Sequence, residues 1–377
     1  MRILIHALGA NMGGAIRHLN NFIPALLKND KSNQYILILR NDVKYDFKDE
    51  SLRIVRVPKY IGVIFLLRTF YDIIYLPLFA IKLKADIVIS LLNFGPIFCS
   101  KPHINFQRNS LYFCDYYLEN IKGTQKLITW LRSILIYLTM KYAAVIVTPS
   151  NSMAEQIQSK YPSLRAKKYY TLYHSFKAEE KEQVKSQWNL KLENEKRIKL
   201  LCPTHLAIHK GFDILFEALS IVKKDTNNFV LYATIDKADW PEGFRDLTSL
   251  IKKLGLDDNV VLTGRIPQDE INVFYKNCDL MVYPSLCESF GFSMLEAMGY
   301  GLTIVAADTA INKEICRDAA IYYSAFDPED AAKKILDGFD NVQSLRLKNE
   351  AKKRFESFDW SWQRYAKEFI ELVSKYE

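Results

Sequence analysis

Short apolar segments typical of buried strands alternate with helical segments along almost the whole chain. In the first half, strand-like runs lie near residues 2–7, 34–40, 52–57, 86–92, 103–107, 144–148 and 169–173, with helical stretches near 14–28, 67–83, 125–142 and 151–160. Strands that alternate with helices in this way predict parallel, doubly wound sheets. The fold class indicated by the sequence is therefore α/β.

The same rhythm restarts in the second half of the chain. Strands are predicted near 197–202, 228–232, 259–262, 280–283, 302–305 and 320–323, with helices near 211–224, 243–254, 268–277, 293–299 and 328–338. The stretch between the halves is charged and poor in large apolar residues, which is typical of a linker. At 377 residues the chain is long enough for two domains. We predict a Rossmann-like domain over 1–177, a linker over 178–196 and a second Rossmann-like domain over 197–358.

Composition indicates an ordinary globular protein, with 49% apolar and 25% charged residues. The formal net charge of +8 suits an anionic substrate or an anionic membrane face. The charge is too mild and diffuse to indicate nucleic acid as a partner. The six cysteines show neither C-x-x-C pairs nor zinc spacing, so we expect buried thiols, a reducing cytosol and a cytoplasmic location.

No secretory signal is expected, because the strand-like start of the chain runs directly into a glycine turn. The most apolar region, residues 61–92, is interrupted by charged residues and is not expected to span a membrane. Two segments, 65–83 and 127–141, combine aromatic and aliphatic residues with basic ones. The favoured interpretation places them in the core of the first domain. The alternative is a surface in peripheral contact with anionic lipid, reaching a lipid-linked acceptor.

The motif most informative about function is Glu288-Ser-Phe-Gly-Phe-Ser-Met-Leu-Glu296, which follows an apolar strand and a Pro-Ser turn. Helix formers follow Ser293, so the first carboxylate is predicted on a strand-to-helix loop and the second in the first helical turn. Backbone amides at a helix N-terminus bind anions, and carboxylates accept hydrogen bonds from sugar hydroxyls. A nucleotide sugar combines both kinds of group.

Other polar motifs also follow predicted strands, where ligands bind in open α/β sheets. Gly13-Gly14 follows the first strand and precedes a helix carrying His18, but it is not a G-x-G-x-x-G dinucleotide motif. His205 and Lys210 follow the first strand of the second domain and can neutralise a leaving diphosphate. His209 between them is expected to be a solvated loop residue. Gly264-Arg265 ends a third strand, either as a simple turn or as a surface for a base or ribose.

Together these motifs resemble the retaining GT-B glycosyltransferases of glycosyltransferase family 4. The Pro-Ser-x-x-Glu-x-Phe-Gly segment at 284–291 is the most specific of them. The resemblance covers nearly the whole chain, although residues 40–140 share only the strand–helix rhythm. It implies an acceptor-binding first domain and a nucleotide-sugar-binding second domain, both Rossmann-like, that face an interdomain cleft, with a last helix, 359–377, crossing back to the first domain.

The resemblance also implies a role for each matching residue. Glu288 would contact the hydroxyls of the donor sugar, and Glu296 would accept from the ribose. Lys210 and His205 would face the diphosphate, with Gly13 and Gly14 closing over it. The backbone amides that would hold the sugar and diphosphate are those of Phe290, Gly291 and Phe292.

The family transfers sugars with retention and without a metal, so no cofactor or metal ligand is expected. The sequence agrees on the last point, because it has no Asp-x-Asp motif and no carboxylate cluster with divalent-ion spacing.

Two departures from the family pattern bear on specificity. His205 stands where the family usually has arginine, so diphosphate binding is expected to be weaker or more dependent on pH. The fifth strand ends in Gln107-Arg108-Asn109 rather than at a histidine that touches the sugar, so Arg108, Asn109 and His18 are the predicted sugar or acceptor contacts. The sequence favours a hexosyltransferase acting on a saccharide or lipid-linked acceptor in bacterial surface polysaccharide or lipopolysaccharide synthesis. The alternative is a non-catalytic GT-B protein that binds nucleotide sugars or serves as an assembly partner.

Overall fold

A computed structural model describes residues 1–10, 13–175, 186–267 and 270–376. The chain divides into two compact units. The first comprises Met1–Cys114, Ile121–Lys177 and Trp360–Glu377, and the second comprises Asp115–Asn120 and Ala178–Asp359. Each unit is built on one parallel sheet with helices on its faces.

The sheet of the first unit has seven parallel strands in the order β3-β2-β1-β4-β5-β6-β7. Their bounds are β1 Arg2–His6, β2 Gln34–Arg40, β3 Leu52–Val57, β4 Ile87–Ser90, β5 His103–Phe106, β6 Val145–Thr148 and β7 Lys168–Thr171. The chain builds outward from β1 to β3 and then returns to place β4 on the other side of β1. This reversal makes the carboxyl ends of β1 and β4 the topological switch point of the sheet, where ligands bind in such folds.

The helices between β1 and β7 are α1 Gly13–Asn29, α2 Lys59–Val63, α3 Phe65–Phe70, α4 Leu76–Lys82, α5 Asp115–Asn120, α6 Gly123–Tyr142 and α7 Asn151–Lys160; α5 belongs to the second unit and the others to the first. A π-helical turn, Tyr71–Tyr75, joins α3 to α4. The last helix, α16 Trp362–Ser374, also belongs to the first unit and packs on α1. Phe22 of α1 lies 5.2 Å from Tyr365 and 5.0 Å from Phe369 between ring centroids, so aromatic contacts hold these two helices together.

The second unit has six parallel strands in the order β10-β9-β8-β11-β12-β13. The strands are β8 Ile198–Cys202, β9 Phe229–Ala233, β10 Val260–Leu262, β11 Leu280–Tyr283, β12 Thr303–Ala307 and β13 Ala320–Tyr323. The helices are α8 Gln187–Asn194, α9 Phe212–Asp225, α10 Pro241–Lys253, α11 Ile271–Asn277, α12 Phe292–Gly299, α13 Ala310–Cys316, α14 Pro328–Phe339 and α15 Asn341–Glu356. The direction of winding reverses between β8 and β11, so their carboxyl ends form this unit's switch point.

Five helices lie where the sequence analysis predicts none: α2, α5, α8, α13 and α15. Helix α8 falls inside the predicted linker 178–196; its Trp188 packs against Tyr232 and Phe274 of the second unit. The sequence does not reveal α8 as a helix, because the segment is charged and only Trp188 and Leu192, one helical turn apart, are buried. Helix α15 is similar, since it buries only Leu347 and Ala351.

The predicted core role of segments 65–83 and 127–141 is wrong for many of their residues. Large apolar side chains of α3, the π-helical turn, α4 and α6 are exposed, and we call them the apolar face: Leu66, Phe70, Ile74, Leu78, Ile81, Leu127, Ile128, Trp130 and Ile134. The first five recur at intervals of three or four residues, so they form one stripe along the helices. An amphipathic pattern shows that a helix has an apolar side without showing what covers it.

In the part of the chain that the structure describes, no helix is long and apolar enough to cross a membrane. Five of the six cysteines are buried and Cys99 is partly exposed, so the expectation of buried thiols holds for all but Cys99.

Candidate functional site

The carboxyl end of β11 leads directly into the loop that carries Glu288. Tyr283 is the last residue of the strand, and its hydroxyl donates to Glu288 Oε1 at 2.6 Å. Ser285 Oγ donates to the same oxygen, also at 2.6 Å. Glu288 thus lies on a strand-to-helix loop, as the sequence predicts, and two hydroxyls from the strand end fix its carboxylate.

Lys210 reaches the same carboxylate from the neighbouring strand. It ends a short 3₁₀ turn after β8, and its Nζ donates to Glu288 Oε1. The Lys210 side chain is 6% exposed and that of Glu288 is 15% exposed, so the ion pair is largely buried. Since β8 and β11 are adjacent, the pair lies at the switch point of the second unit.

The loops after β8 and β11 are in close contact through their backbones. Leu286 N–H donates to the His209 carbonyl at 2.9 Å. Gly211 has φ +60°, and a Cβ at this position would lie 2.5 Å from the carbonyl oxygen of Pro284. Only glycine fits this left-handed, crowded position without strain. The contact fixes where Lys210 meets Glu288.

The electrostatics of the pair keep Glu288 ionised. Burial alone would raise the pKa of Glu288, but the charge and hydrogen bond of Lys210 and the donors Ser285 and Tyr283 outweigh it and lower the pKa to about 2. The site therefore holds a fixed carboxylate and a fixed ammonium group side by side at neutral pH.

Glu296 is the fifth residue of α12, so the prediction that it lies in the first helical turn is wrong by about one residue. Its carboxylate is buried and accepts from the Tyr275 hydroxyl at 3.0 Å. The Tyr275 ring stacks on Tyr300 at 5.6 Å. Glu296 is thus oriented by a tyrosine from α11, and the sequence gives no role to that tyrosine.

Phe290, Gly291 and Phe292 form the N-terminus of α12 directly after the Glu288 loop. Gly291 is in the left-handed region with φ +86°, and a Cβ there would lie 2.3 Å from Met294 Cε. Phe290 is buried, whereas Phe292 is exposed. The positive end of α12 therefore adjoins the Lys210–Glu288 pair, which is the arrangement that favours an anion.

The two histidines beside Lys210 differ in burial. His205 is exposed, yet partial desolvation and the positive charge of Lys210 lower its pKa. His209 is buried, which contradicts the predicted solvated position, and desolvation lowers its pKa to about 3. Its ring packs edge-on against Tyr117 of α5 at 5.8 Å. Both imidazoles are therefore neutral at pH 7, and Lys210 carries the cationic charge at this loop.

Gly264 and Arg265 follow β10 at the same edge of the second sheet. Arg265 Nε donates to Asp239 Oδ1 at 3.0 Å, while the arginine side chain remains 67% exposed. Gly264 has φ +74° and lies beside Asp236. Asp239 is a partner that the sequence analysis misses, because nothing in its spacing connects it with Arg265.

The predicted contacts of the first unit lie at the carboxyl edge of its own sheet. Gly13 and Gly14 begin α1 rather than preceding it, and Gly14 is exposed with open space where a Cβ would be. His18 is buried and accepts from Arg108 Nη2 at 2.8 Å. Arg108 also donates to the Tyr365 hydroxyl at 2.9 Å. Asn109 caps the next turn through its side chain.

The predicted residues thus fall into two groups, one in each unit. The second unit brings together Lys210, Glu288 and the start of α12, with His205 beside them. The first unit joins His18 to Arg108. Within the described ranges no group of three or more metal-ligating side chains is suitably placed for a metal ion.

Residues 184–354, a little under half of the chain, match the family model for glycosyl transferases group 1. A mannosylfructose-phosphate synthase from Agrobacterium fabrum is 26% identical over 175 residues, covering 45% of this chain. The matched segment spans 38% of the length of that relative.

The fold is that of known GT-B structures. A structure of Anabaena HepE in complex with UDP and glucose matches all of both chains with a TM-score of 0.71 and 16% identity. WaaG, described as a glycosyltransferase involved in lipopolysaccharide biosynthesis, matches 99% of each chain with a TM-score of 0.72 and 14% identity. The predicted fold class, two parallel-sheet Rossmann-like domains, is confirmed.

Proposed function

We propose that this chain, a GT-B protein whose second unit carries a group 1 glycosyl transferase domain, moves a hexose from a nucleotide-sugar donor to a saccharide or lipid-linked acceptor. The observation that carries the proposal is the buried Lys210–Glu288 pair beside the N-terminus of α12. It supplies a cation and helix amides for a diphosphate and a carboxylate for sugar hydroxyls, all at one switch point.

We propose a separate role for each group. Glu288 Oε1 is already bound by Lys210, Tyr283 and Ser285, so its second oxygen, Oε2, is the acceptor for a sugar hydroxyl. Lys210 and the helix N-terminus stabilise the negative charge that develops on the β-phosphate. Because the ammonium is held in place before the donor binds, little reorganisation is needed during the reaction.

We further propose the retaining, metal-independent reaction of glycosyltransferase family 4. The bond between the anomeric carbon and the β-phosphate oxygen breaks first, and its electron pair leaves with the diphosphate. The acceptor hydroxyl attacks from the same face and gives its proton to the departing phosphate oxygen. Proton NMR of the product tests this order, since retention of the anomeric configuration is expected and inversion would contradict it.

The donor base and the pathway are proposed from the comparisons. HepE is described with bound UDP and glucose, so a UDP-sugar is the first donor to test, with a GDP-sugar second. WaaG is described as acting in lipopolysaccharide biosynthesis, and we propose a bacterial surface polysaccharide or lipopolysaccharide as the product.

A peripheral contact with an anionic membrane, at the cytoplasmic face, completes the proposal. The apolar face is exposed, and the segments that carry it hold or adjoin the exposed cations Lys82, Lys84, Lys126 and Lys141. The only carboxylate in residues 59–84 is the buried Asp72, and residues 122–142 contain none. Exposed apolar side chains among cations, without exposed acids, are complementary to anionic lipid.

Co-sedimentation tests the membrane contact. Vesicles containing phosphatidylglycerol are expected to retain the protein at low salt, and less of it at high salt, because salt screens the cations. The double variant Leu66→Glu/Phe70→Glu should lose retention. The control Val342→Glu/Leu345→Glu changes two exposed residues of α15 and should keep it. Equal retention of both variants would contradict the proposal.

A thermal-shift panel of UDP-, GDP- and ADP-sugars tests the function itself. A donor at about 100 times its Kd should stabilise the protein by about 2.7 kcal/mol and raise the melting temperature. A shift with release of the nucleoside diphosphate supports the transferase. A shift without turnover in the presence of acceptor extracts favours a non-catalytic nucleotide-sugar-binding protein, and no shift with any donor contradicts both.

A further inference from the structure

A cavity of about 470 Å³ lies inside the first unit, apart from the Lys210–Glu288 site. Its walls include Gly9, Asn93 and Asn109, which follow β1, β4 and β5, and residues of α3 and α6. The carboxyl ends of β1 and β4 are the switch point of this sheet, where open α/β sheets bind ligands. The volume is within the range of small-molecule sites, about 300–1,000 Å³.

The charges in this cavity do not cancel. Asp72 lines it and is bound on one side by Arg68 Nε at 2.6 Å, and on the other it lies 3.2 Å from Nε2 of the buried His6. Burial lowers the pKa of His6, so the imidazole adds no charge at neutral pH. Arg132 enters the cavity from α6 and carries a second positive charge.

Arg132 is available for a ligand. Its guanidinium lies over the ring of Phe65, 5.8 Å from the centroid, which holds the side chain at the cavity wall. Among the described residues no carboxylate lies within ion-pairing distance of it. A guanidinium fork without a carboxylate partner is suited to bidentate binding of phosphate or carboxylate.

Asn93 provides a second oriented donor. It is in the left-handed region, with φ +59°, which is uncommon for a residue other than glycine. Its side-chain oxygen accepts from the backbone N–H groups of Arg108 and Asn109, at 2.7 and 3.2 Å. Since Oδ1 is occupied, the amide Nδ2 is the free end, and it donates to none of the residues that the structure describes.

We propose that this cavity binds the acceptor, and that the acceptor carries an acidic group, a phosphate or a carboxylate, bound by Arg132 with Asn93 donating to a neighbouring oxygen. The identification of the ligand as the acceptor rests on the proposed transferase function. Asp72, held by Arg68, then accepts from a sugar hydroxyl. The acidic group, rather than the sugar ring alone, determines which acceptor molecules bind in the cavity.

The test uses three sugars of similar size and different charge. D-glucose 6-phosphate, D-glucuronate and D-glucose are titrated into the full chain with ligand-observed NMR. One or both acidic sugars should bind, and glucose should bind at least tenfold more weakly. Which of the two acids binds more tightly identifies the group as a phosphate or a carboxylate.

Single-residue variants test whether the acidic sugar binds at Arg132. Arg132→Gln should weaken binding of the acidic sugar at least tenfold, about 1.4 kcal/mol, and Arg132→Lys should weaken it less. Lys28→Gln, which changes an exposed cation on α1 of the same unit, is the matched control and should bind as the unaltered protein does. Unchanged melting temperatures exclude misfolding as the cause.

Equal binding by Arg132→Gln and the unaltered protein would overturn the inference, as would glucose binding as tightly as the acids, or no binding of either acid. The donor panel on the same variants separates the two proposals. If donors shift the melting temperature of Arg132→Gln normally, the donor site is intact. If no donor binds any variant while Arg132→Gln loses the acidic sugar, the cavity stands and the transferase function fails.

Discussion

Lys210 and Glu288 are 78 residues apart in sequence, yet they form a buried ion pair at the carboxyl ends of two adjacent parallel strands. Breaking such a pair from one side leaves an uncompensated buried charge, which costs about 3–5 kcal/mol. The pair is thus both a structural link between two loops and the electrostatic centre of the proposed donor site.

Replacing Glu288 with glutamine should lower kcat/KM for the cognate donor at least tenfold, or about 1.4 kcal/mol of barrier. The amide keeps the size of the side chain but accepts more weakly from a sugar hydroxyl and no longer balances Lys210. Steady-state release of nucleoside diphosphate measures the effect. Glu217→Gln, an exposed change on α9, is the control. A decrease in kcat/KM of less than tenfold would count against a central role for Glu288.

The Lys210–Glu288 pair should also contribute a pH-dependent part of the stability. The pKa of Glu288 is about 2 in the folded protein and lies near its ordinary value of 4.5 in the unfolded chain. The unfolded state therefore binds more protons between these values, so the contribution is complete above about pH 4.5 and is lost as pH falls toward 2.

The difference in melting temperature between the unaltered protein and Glu288→Gln reports this contribution. It should be constant from pH 6 to 8 and should narrow as pH falls from about 4.5 to about 2. A difference that does not change with pH across that window would contradict the assigned ion pair.

His205→Arg should tighten binding of the nucleoside diphosphate at pH 7.5 by about threefold to tenfold, up to about 1.4 kcal/mol. The lowered pKa of His205 leaves the imidazole neutral at this pH, whereas arginine is always charged. Isothermal titration from pH 5 to 8 should show affinity rising toward acid pH in the unaltered protein and a flatter profile in the variant. Weaker binding by the variant would place position 205 away from the diphosphate.

Gly211→Ala should destabilise the protein by about 1–3 kcal/mol and reduce activity, because the new Cβ meets the Pro284 carbonyl at 2.5 Å. Gly255→Ala is a matched control, since Gly255 has a similar φ of +65° but open space around its Cβ position. Thermal melts compare the two variants. Equal losses of stability would show that the contact with Pro284 has no cost of its own.

Gly14→Ala separates a ligand effect from a folding effect. Among the described residues, apart from its chain neighbours and its own helix backbone, no atom would lie within 4 Å of a Cβ on Gly14, and alanine in a helix is favoured over glycine by up to about 1 kcal/mol. Stability should therefore be unchanged or higher. If the backbone at Gly14 closes over the diphosphate, the Michaelis constant for the donor should rise; an unchanged value would exclude close approach at this position.

The sequence predicts the strands and most helices because buried apolar runs and glycine or Pro-Ser turns mark their ends. It also predicts that Lys210 and Glu288 follow strands. It does not predict that they touch, because strand order depends on long-range packing that no local pattern encodes. Only the placement of β11 beside β8 joins them.

The sequence does not reveal Tyr275 and Asp239 for the same reason, since each contacts its partner through the packing of separate elements. The exposed stripe that includes Leu66 and Phe70 illustrates another limit. Helical periodicity gives the same pattern whether the apolar side meets a core or remains exposed.

The most direct measurement of the central claim is the single-turnover rate at which nucleoside diphosphate is released from the cognate donor. The rate is compared between the unaltered protein, Lys210→Met and Lys210→Met/Glu288→Gln. Lys224→Met, which changes an exposed lysine, is the control. The double variant leaves no unpaired buried charge, so its melting temperature should recover relative to Lys210→Met. Both Lys210 variants should release nucleoside diphosphate at least about a hundredfold more slowly than the unaltered protein, which corresponds to an increase of about 2.7 kcal/mol in the activation barrier. A double variant that is stable and still releases diphosphate within about tenfold of the normal rate would contradict the account.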